Sequence, residues 1–221
     1  MAHVTFRYTG RQLSKRIVLL LIGLFVMTLG VAMSKKAGIG TTPISCVPAT
    51  LSYLTPYTMG TVTVVFNAIL VLLQKVVLGK QFKKFQILQI LMGFAIGILT
   101  DVNLEILSSL NPDWYPAQWF WCVISCLLIG FGVTLEIHAS LLVAPGEGLV
   151  VAFVTRYKIP LPRMKIVFDY SMVIFAASVS LIFSGGLHGV REGTIFGALA
   201  MGLIIGFCRK HFGARLDRFL E

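Results

Sequence analysis

Six apolar runs, each long enough to cross roughly 30 Å of bilayer hydrocarbon, constrain this chain more than any other feature. They cover residues 17–34, 58–78, 85–107, 117–139, 162–183 and 193–208. Inside a bilayer a backbone N–H or C=O finds no water, so each must be satisfied within the protein, and a helix does this within one segment. Only 13% of the residues are charged, against about a quarter in a soluble domain. Such a chain cannot cover a globule with polar groups. The reading is an all-α integral membrane protein with six transmembrane helices and two short broken or re-entrant helices. Those two, Pro43–Leu54 and 146–156, are too short to cross, and each opens on Pro and Gly signals that begin helices.

The net charge of +10 could suggest a nucleic-acid partner, but no basic face interleaved with aromatics is present and no nucleic acid is expected. The basic residues gather instead in the loops between spans. With the N-terminus in the cytoplasm and six crossings, Arg7, Arg11, Lys15, Arg16, Lys75, Lys80, Lys83, Lys84, Arg156, Lys158, Arg163, Lys165, Arg209, Lys210, Arg215 and Arg218 fall inside. Only Lys35, Lys36 and Arg191 fall outside. That asymmetry is the positive-inside rule, and it places both termini in the cytoplasm. Trp114, Tyr115, Trp119 and Trp121 mark an aromatic belt at the outer end of the fourth span. The first run follows Arg7, Arg11, Lys15 and Arg16 as a signal peptide would, but it exceeds the usual 7–15 apolar residues and reads as a retained helix.

The chain also repeats itself. "VTVVFNAILVLL" at 62–73 aligns with "MKIVFDYSMVIF" at 164–175, so Asn67 matches Asp169. "LLIG" occurs at 20–23 and at 127–130; Pro43 matches Pro145, and Gly93 and Gly97 match Gly202 and Gly206. Each half, 17–110 and 117–210, reads as span, broken segment, span, span. Three crossings per half require the halves to point in opposite directions, giving an inverted 3+3 repeat of the kind found in many secondary transporters. The small-xxx-small pairs suit close helix contact, within one chain or in a homodimer.

"AGIGTTPISCVPATLS", "FNAILVLLQ" and "FQILQILMGFAIGILTD" resemble the small bacterial integral membrane proteins grouped as YczE/YitT-like. The resemblance covers nearly the whole chain and is looser around "APGEG". It implies a compact multi-span protein of the bacterial inner membrane, with transport as the usual presumption, and it brings no catalytic residues.

The candidate binding residues come from the broken segments. Gly38 and Gly40 unwind the end of the first span, Thr42 is an N-cap residue and Pro43 fits the first helical position. A helix starting there aims free N–H groups at the unwound stretch, an arrangement that favours an anionic or zwitterionic solute. Thr41, Thr42 and Ser45 add hydroxyls, and Lys35 and Lys36 add charge; alternatively the two lysines snorkel to the interface. In the second half Gly146 and Glu147 open the matching segment. Asn67 joins the binding set through its match to Asp169. Ionisable groups within membrane helices are costly and need a partner or water, so Glu136, His138, Glu147 and Asp169 are the proton-coupling candidates. Glu136 and His138, two apart, face different sides of their helix, so one at most reaches a central cavity. Asp101 and Glu105 read as a solvated cap on the third span.

Cys46, Cys122, Cys126 and Cys208 read as small apolar filler, with no metal-ligand spacing. No nucleophile, Walker or dinucleotide motif is present, so neither an enzyme nor a cofactor is expected. The expected function is a small inner-membrane secondary transporter, a permease for a small polar, anionic or zwitterionic solute, drawing on a proton gradient. Its rivals are a substrate-capturing subunit of a multi-component vitamin importer and a non-transporting scaffold.

Overall fold

The computed structural model describes residues 9–220, in which the chain forms eight α-helices. They are α1 (Gly10–Ala37), α2 (Pro43–Leu54), α3 (Met59–Leu78), α4 (Leu88–Ile106), α5 (Tyr115–Ala139), α6 (Pro145–Tyr157), α7 (Leu161–Ser184) and α8 (Glu192–Leu220). Two 3₁₀ turns, Gly79–Gln81 and Lys84–Ile87, join α3 to α4. Six of the helices are long and apolar enough to cross a membrane, and they are the six expected. The chain is therefore an all-α, multi-pass membrane protein whose outer surface contacts lipid. The basic residue at position 7 lies outside the described residues.

Local chemistry sets the helix ends. Pro43, Pro116, Pro145 and Pro162 stand in first turns, where a missing N–H costs nothing. Gly38 and Gly185 end α1 and α7 in the left-handed conformation, with φ of 77° and 68°, which a residue without Cβ adopts freely. Thr58 caps α3 by accepting from the Thr61 N–H at 3.1 Å. α8 outlasts its apolar run by about three turns, because nothing between Cys208 and Leu220 breaks it; Leu220 ends buried against Leu19 and Leu20.

The core is built on α1 and α5, which run antiparallel at very close range. Gly23 faces Gly132, and Gly30 faces Ser125 and Ile129. Without a hydrophobic drive between helices in lipid, such small residues let dispersion and weak C–H···O contacts accumulate. Arg16 donates to the carbonyls of His138 at 3.3 Å and Ala139 at 3.1 Å, capping the C-terminal end of α5. α4 flanks α1, and α8 flanks α5. Asn103 donates to Thr28 Oγ1 at 2.9 Å across the α4–α1 seam. α2 packs on α7, and α6 packs on α3.

α3 and α4 also close tightly on each other. Gly97 fits against Gly60 and Val64, and Gly93 fits against Asn67. Asp101 secures one end of this seam, accepting from the Gly60 N–H at 2.7 Å and the Thr58 hydroxyl at 2.6 Å. Asp101 is thus a tie between helices rather than a solvated cap, whereas Glu105 is exposed as expected. Farther along the seam, the fully buried Gln74 donates to Gln89 at 2.8 Å and to the Pro145 carbonyl at 3.0 Å, linking α3, α4 and α6. α7 and α8, by contrast, barely touch.

Candidate functional site

The two short helices meet inside the bundle. A Cβ added to Gly146 at the start of α6 would lie 3.1 Å from the Ile44 side chain at the start of α2. Beside this meeting point lies a cavity of about 460 Å³. Its polar wall is formed by Thr42 just before α2, Ser45 of α2, Thr63 and Asn67 of α3, Thr100 of α4, Glu136 of α5, Glu147 of α6, and Lys165 and Asp169 of α7. Apolar side chains such as Met27, Phe66, Val133 and Ile205 supply most of the rest.

Both short helices aim their first turns at this space. Among the described residues the backbone N–H groups of Ile44, Ser45, Gly146 and Glu147 donate to no protein acceptor, as first-turn N–H groups cannot within their own helix. All four residues line the cavity. Pro48, also in the wall, lacks the N–H that the Ile44 carbonyl would otherwise accept from. Each helix start thus carries partial positive charge toward one volume.

The carboxylates supply the opposite sign. Glu136 is only 3% exposed and accepts from the Ala144 N–H at 2.8 Å, capping α6 from outside. Lys165 Nζ donates to Asp169 at 2.8 Å in an i,i+4 pair. The Glu147 carboxylate makes no hydrogen bond among the described residues and lies within electrostatic reach of Lys165 and Asp169. Glu136 in turn feels Glu147. A solute here meets amide donors and carboxylate acceptors together.

The cavity gathers Thr42, Ser45, Asn67, Gly146, Glu147, Glu136 and Asp169 from the residues singled out in the sequence. It leaves out Lys35, Lys36, Gly38, Gly40, Thr41 and His138. Lys35 donates to Ser52 at 2.8 Å and sits 5.0 Å above the Tyr53 ring; Lys36 donates to the Ser108 carbonyl at 3.1 Å. The unwound stretch is consumed by the loop before α8. The Thr41 N–H donates to the Gly189 carbonyl at 3.1 Å, the Gly193 N–H donates to the Ile39 carbonyl at 2.7 Å, and Arg191 donates to the Gly38 carbonyl at 2.9 Å. At Gly40, with φ of 99°, a Cβ would strike Thr194 and Arg191. Gly38 and Gly40 therefore shape a junction with the loop before α8. Thr42 stands at the N-cap position of α2, but its side chain makes no capping bond.

His138 faces the other way from Glu136, as their spacing requires. It lines a separate hollow of about 470 Å³ with Arg16, Arg209 and Asp217, and its Nδ1 lies 2.8 Å from the Thr134 carbonyl. Lys165, within the fifth span, is a cavity residue that the sequence reading counted only among the cytoplasmic charges. Its signal was the i,i+4 spacing to Asp169, which puts both on one helix face. Cys46, Cys122, Cys126 and Cys208 are free, buried thiols.

An uncharacterized protein of Haemophilus influenzae is 23% identical over 194 residues, covering 87% of this chain and 83% of its own. No solved structure gives a significant match. Residues 14–210 match a family described as a family of unknown function, and the chain accordingly belongs to that family, DUF6198.

Proposed function

We propose that this protein is a small secondary permease of the bacterial inner membrane, with both termini cytoplasmic, that binds a small zwitterionic solute in the cavity between α2 and α6. The observation that carries the reading is the convergence of two helix N-termini and three carboxylates on one volume inside a membrane bundle. Irregular backbone and ionisable groups at membrane depth are tolerated where they line a cavity. A solute carboxylate fits the first-turn N–H groups of Ile44, Ser45, Gly146 and Glu147. A solute ammonium fits Glu147 and Asp169. A purely anionic solute loses its support once Lys35 and Lys36 lie outside the cavity while Glu136, Glu147 and Asp169 line it.

The inverted repeat belongs to the same proposal. The first four helices and the last four share the order long, short, long, long. Packing is matched in the two halves: α2 lies on α7 as α6 lies on α3 across them, and α1 meets α4 within the first as α5 meets α8 within the second. The antiparallel α1–α5 axis is what opposed halves require. The YczE/YitT-like resemblance points the same way. A scaffold with no transport role has no use for a polar cavity at the repeat interface. No enzyme activity is proposed.

The test is ligand-induced stabilisation of detergent-purified protein, comparing amino-acid-like zwitterions with matched monocarboxylates and monoamines. A solute at 100 times its Kd adds about 2.7 kcal/mol to stability, a readily measured rise in melting temperature. Stabilising zwitterions are then tested for uptake into proteoliposomes. The reading fails if no zwitterion stabilises the protein, or if those that do stabilise Glu147→Gln/Asp169→Asn protein equally.

A further inference from the structure

We propose that α7 and α8 form the movable gate of the cavity, and that its closed form copies the α3–α4 seam, with Ile166 seated against Gly206 and Asp169 against Gly202. This rests on the permease reading and its repeat, and it adds the moving part.

The two halves match in order but differ in one contact. In the first half α3 and α4 are zipped together. A Cβ on Gly93 would lie 2.7 Å from Asn67 Cβ, and one on Gly97 would lie 2.6 Å from the Gly60 carbonyl oxygen and collide with Val64. The repeat register carries Val64 to Ile166, Asn67 to Asp169, Gly93 to Gly202 and Gly97 to Gly206. At Gly202 and Gly206 a Cβ would meet nothing within 4 Å. The same side chains that are sealed in the first half stand apart in the second.

What separates them is the cavity. Ile166 and Asp169 of α7 line it, and so do Gly197, Met201, Gly202 and Ile205 of α8. The cavity wall is therefore incomplete between these two helices, toward the lipid that surrounds the bundle. α7 and α8 are also the most weakly buried spans, with 17% and 11% of their apolar windows covered, against 33% for α3 and α4. Each packs mainly on a single flank of the bundle, α7 on α2 and α8 on α5, and the seam between them is left unfilled. Two small residues one turn apart on α8 are the surface against which a facing helix packs most closely. Pro162 replaces Gly60 in this register, so the copy is closest at the two named pairs and looser at the start of α7.

Disulfide trapping in membranes tests the gate. The four native cysteines are replaced by alanine, and Ile166→Cys is combined with Gly206→Cys. Thr28→Cys with Asn103→Cys, whose parent side chains already touch, is the static control. Oxidation is expected to give a reducible intramolecular crosslink in the gate pair, although α7 and α8 stand apart in this structure. Adding Gly202→Leu to the gate pair is expected to return the crosslink to background while leaving the melting temperature unchanged. The gate is overturned if the control pair crosslinks and the gate pair does not. It is also overturned if Gly202→Leu leaves the crosslink intact, or if Gly202→Leu alone lowers the melting temperature, which would mean that this face is already packed. These outcomes are separate from solute binding: a gate that crosslinks in protein no zwitterion stabilises would leave the gate standing and the solute class refuted.

Discussion

Alanine at Gly97 and alanine at Gly206 are chemically the same change at matched helical positions, and the structure gives them opposite consequences. Both gain helix propensity, up to about 1 kcal/mol for glycine to alanine in a helix interior. At Gly206 nothing opposes that gain, since the added methyl meets open space. At Gly97 the methyl would lie 2.6 Å from the Gly60 carbonyl oxygen and overlap Val64. The backbone oxygen cannot rotate away, so α3 and α4 must separate. Overpacking of this kind costs about 1–3 kcal/mol, and separation would also strain the Asp101 bonds to Thr58 and Gly60. The propensity gain cancels in the comparison, leaving Gly97→Ala about 1–3 kcal/mol less stable than Gly206→Ala. Equilibrium unfolding in mixed detergent micelles, followed by circular dichroism, measures the difference directly. Equal stabilities, or a Gly97→Ala protein the more stable of the two, would refute the claim that α3–α4 is zipped where α7–α8 is parted.

Other substitutions probe the ties around the cavity. Asp101→Ala removes acceptors from the Gly60 N–H and the Thr58 hydroxyl and should cost about 2 kcal/mol, given roughly 1.5–3 kcal/mol for hydrogen bonds to a charged group and a discount for partial exposure; Asp101→Asn, which keeps one acceptor, should recover about half in the same unfolding measurement. Glu136→Ala strands the Ala144 N–H beside the start of α6 and should cost about 1–3 kcal/mol, while Glu136→Gln should stay close to wild type; equal losses would show that the charge rather than the cap matters. Glu147→Gln/Asp169→Asn should abolish zwitterion stabilisation while lowering the unliganded melting point little, because the Lys165–Asp169 pair it breaks is a partly exposed i,i+4 bridge, and such helix pairs contribute about 0.3–0.5 kcal/mol. Arg191→Ala removes a donor to the Gly38 carbonyl and should loosen the loop before α8, seen as faster amide exchange at Thr41 and Gly193 with zwitterion stabilisation retained.

Much of the architecture was legible because lipid leaves a chain few options. Long apolar runs must be helices, and Pro43 and Pro145 can only begin the short ones, so all eight elements could be located from composition and breakers. Glu136 and His138 could be assigned to different sides from their spacing alone. The destination of the unwound stretch was not legible. Free backbone groups near Gly38 and Thr41 look the same in sequence whether they await a solute or the loop before α8, and here the Gly189 carbonyl accepts from the Thr41 N–H while the Gly193 N–H donates to the Ile39 carbonyl. The lysines misled for a related reason: Lys35 is adjacent to the broken segment in the chain, yet its side chain is drawn to Ser52 and Tyr53.

Sequence alone determined that this is a helical membrane protein with two interrupted segments, because a bilayer penalises every unpaired amide and every exposed charge wherever the rest of the chain lies. Tertiary structure alone decided which polar groups share a volume. Asn67, Glu136, Glu147 and Asp169 come from four different helices, and their meeting depends on how close glycine contacts let those helices approach. It also decided that one pair of matched glycines is sealed and the other open, a difference carried by helix separation and absent from the residues themselves.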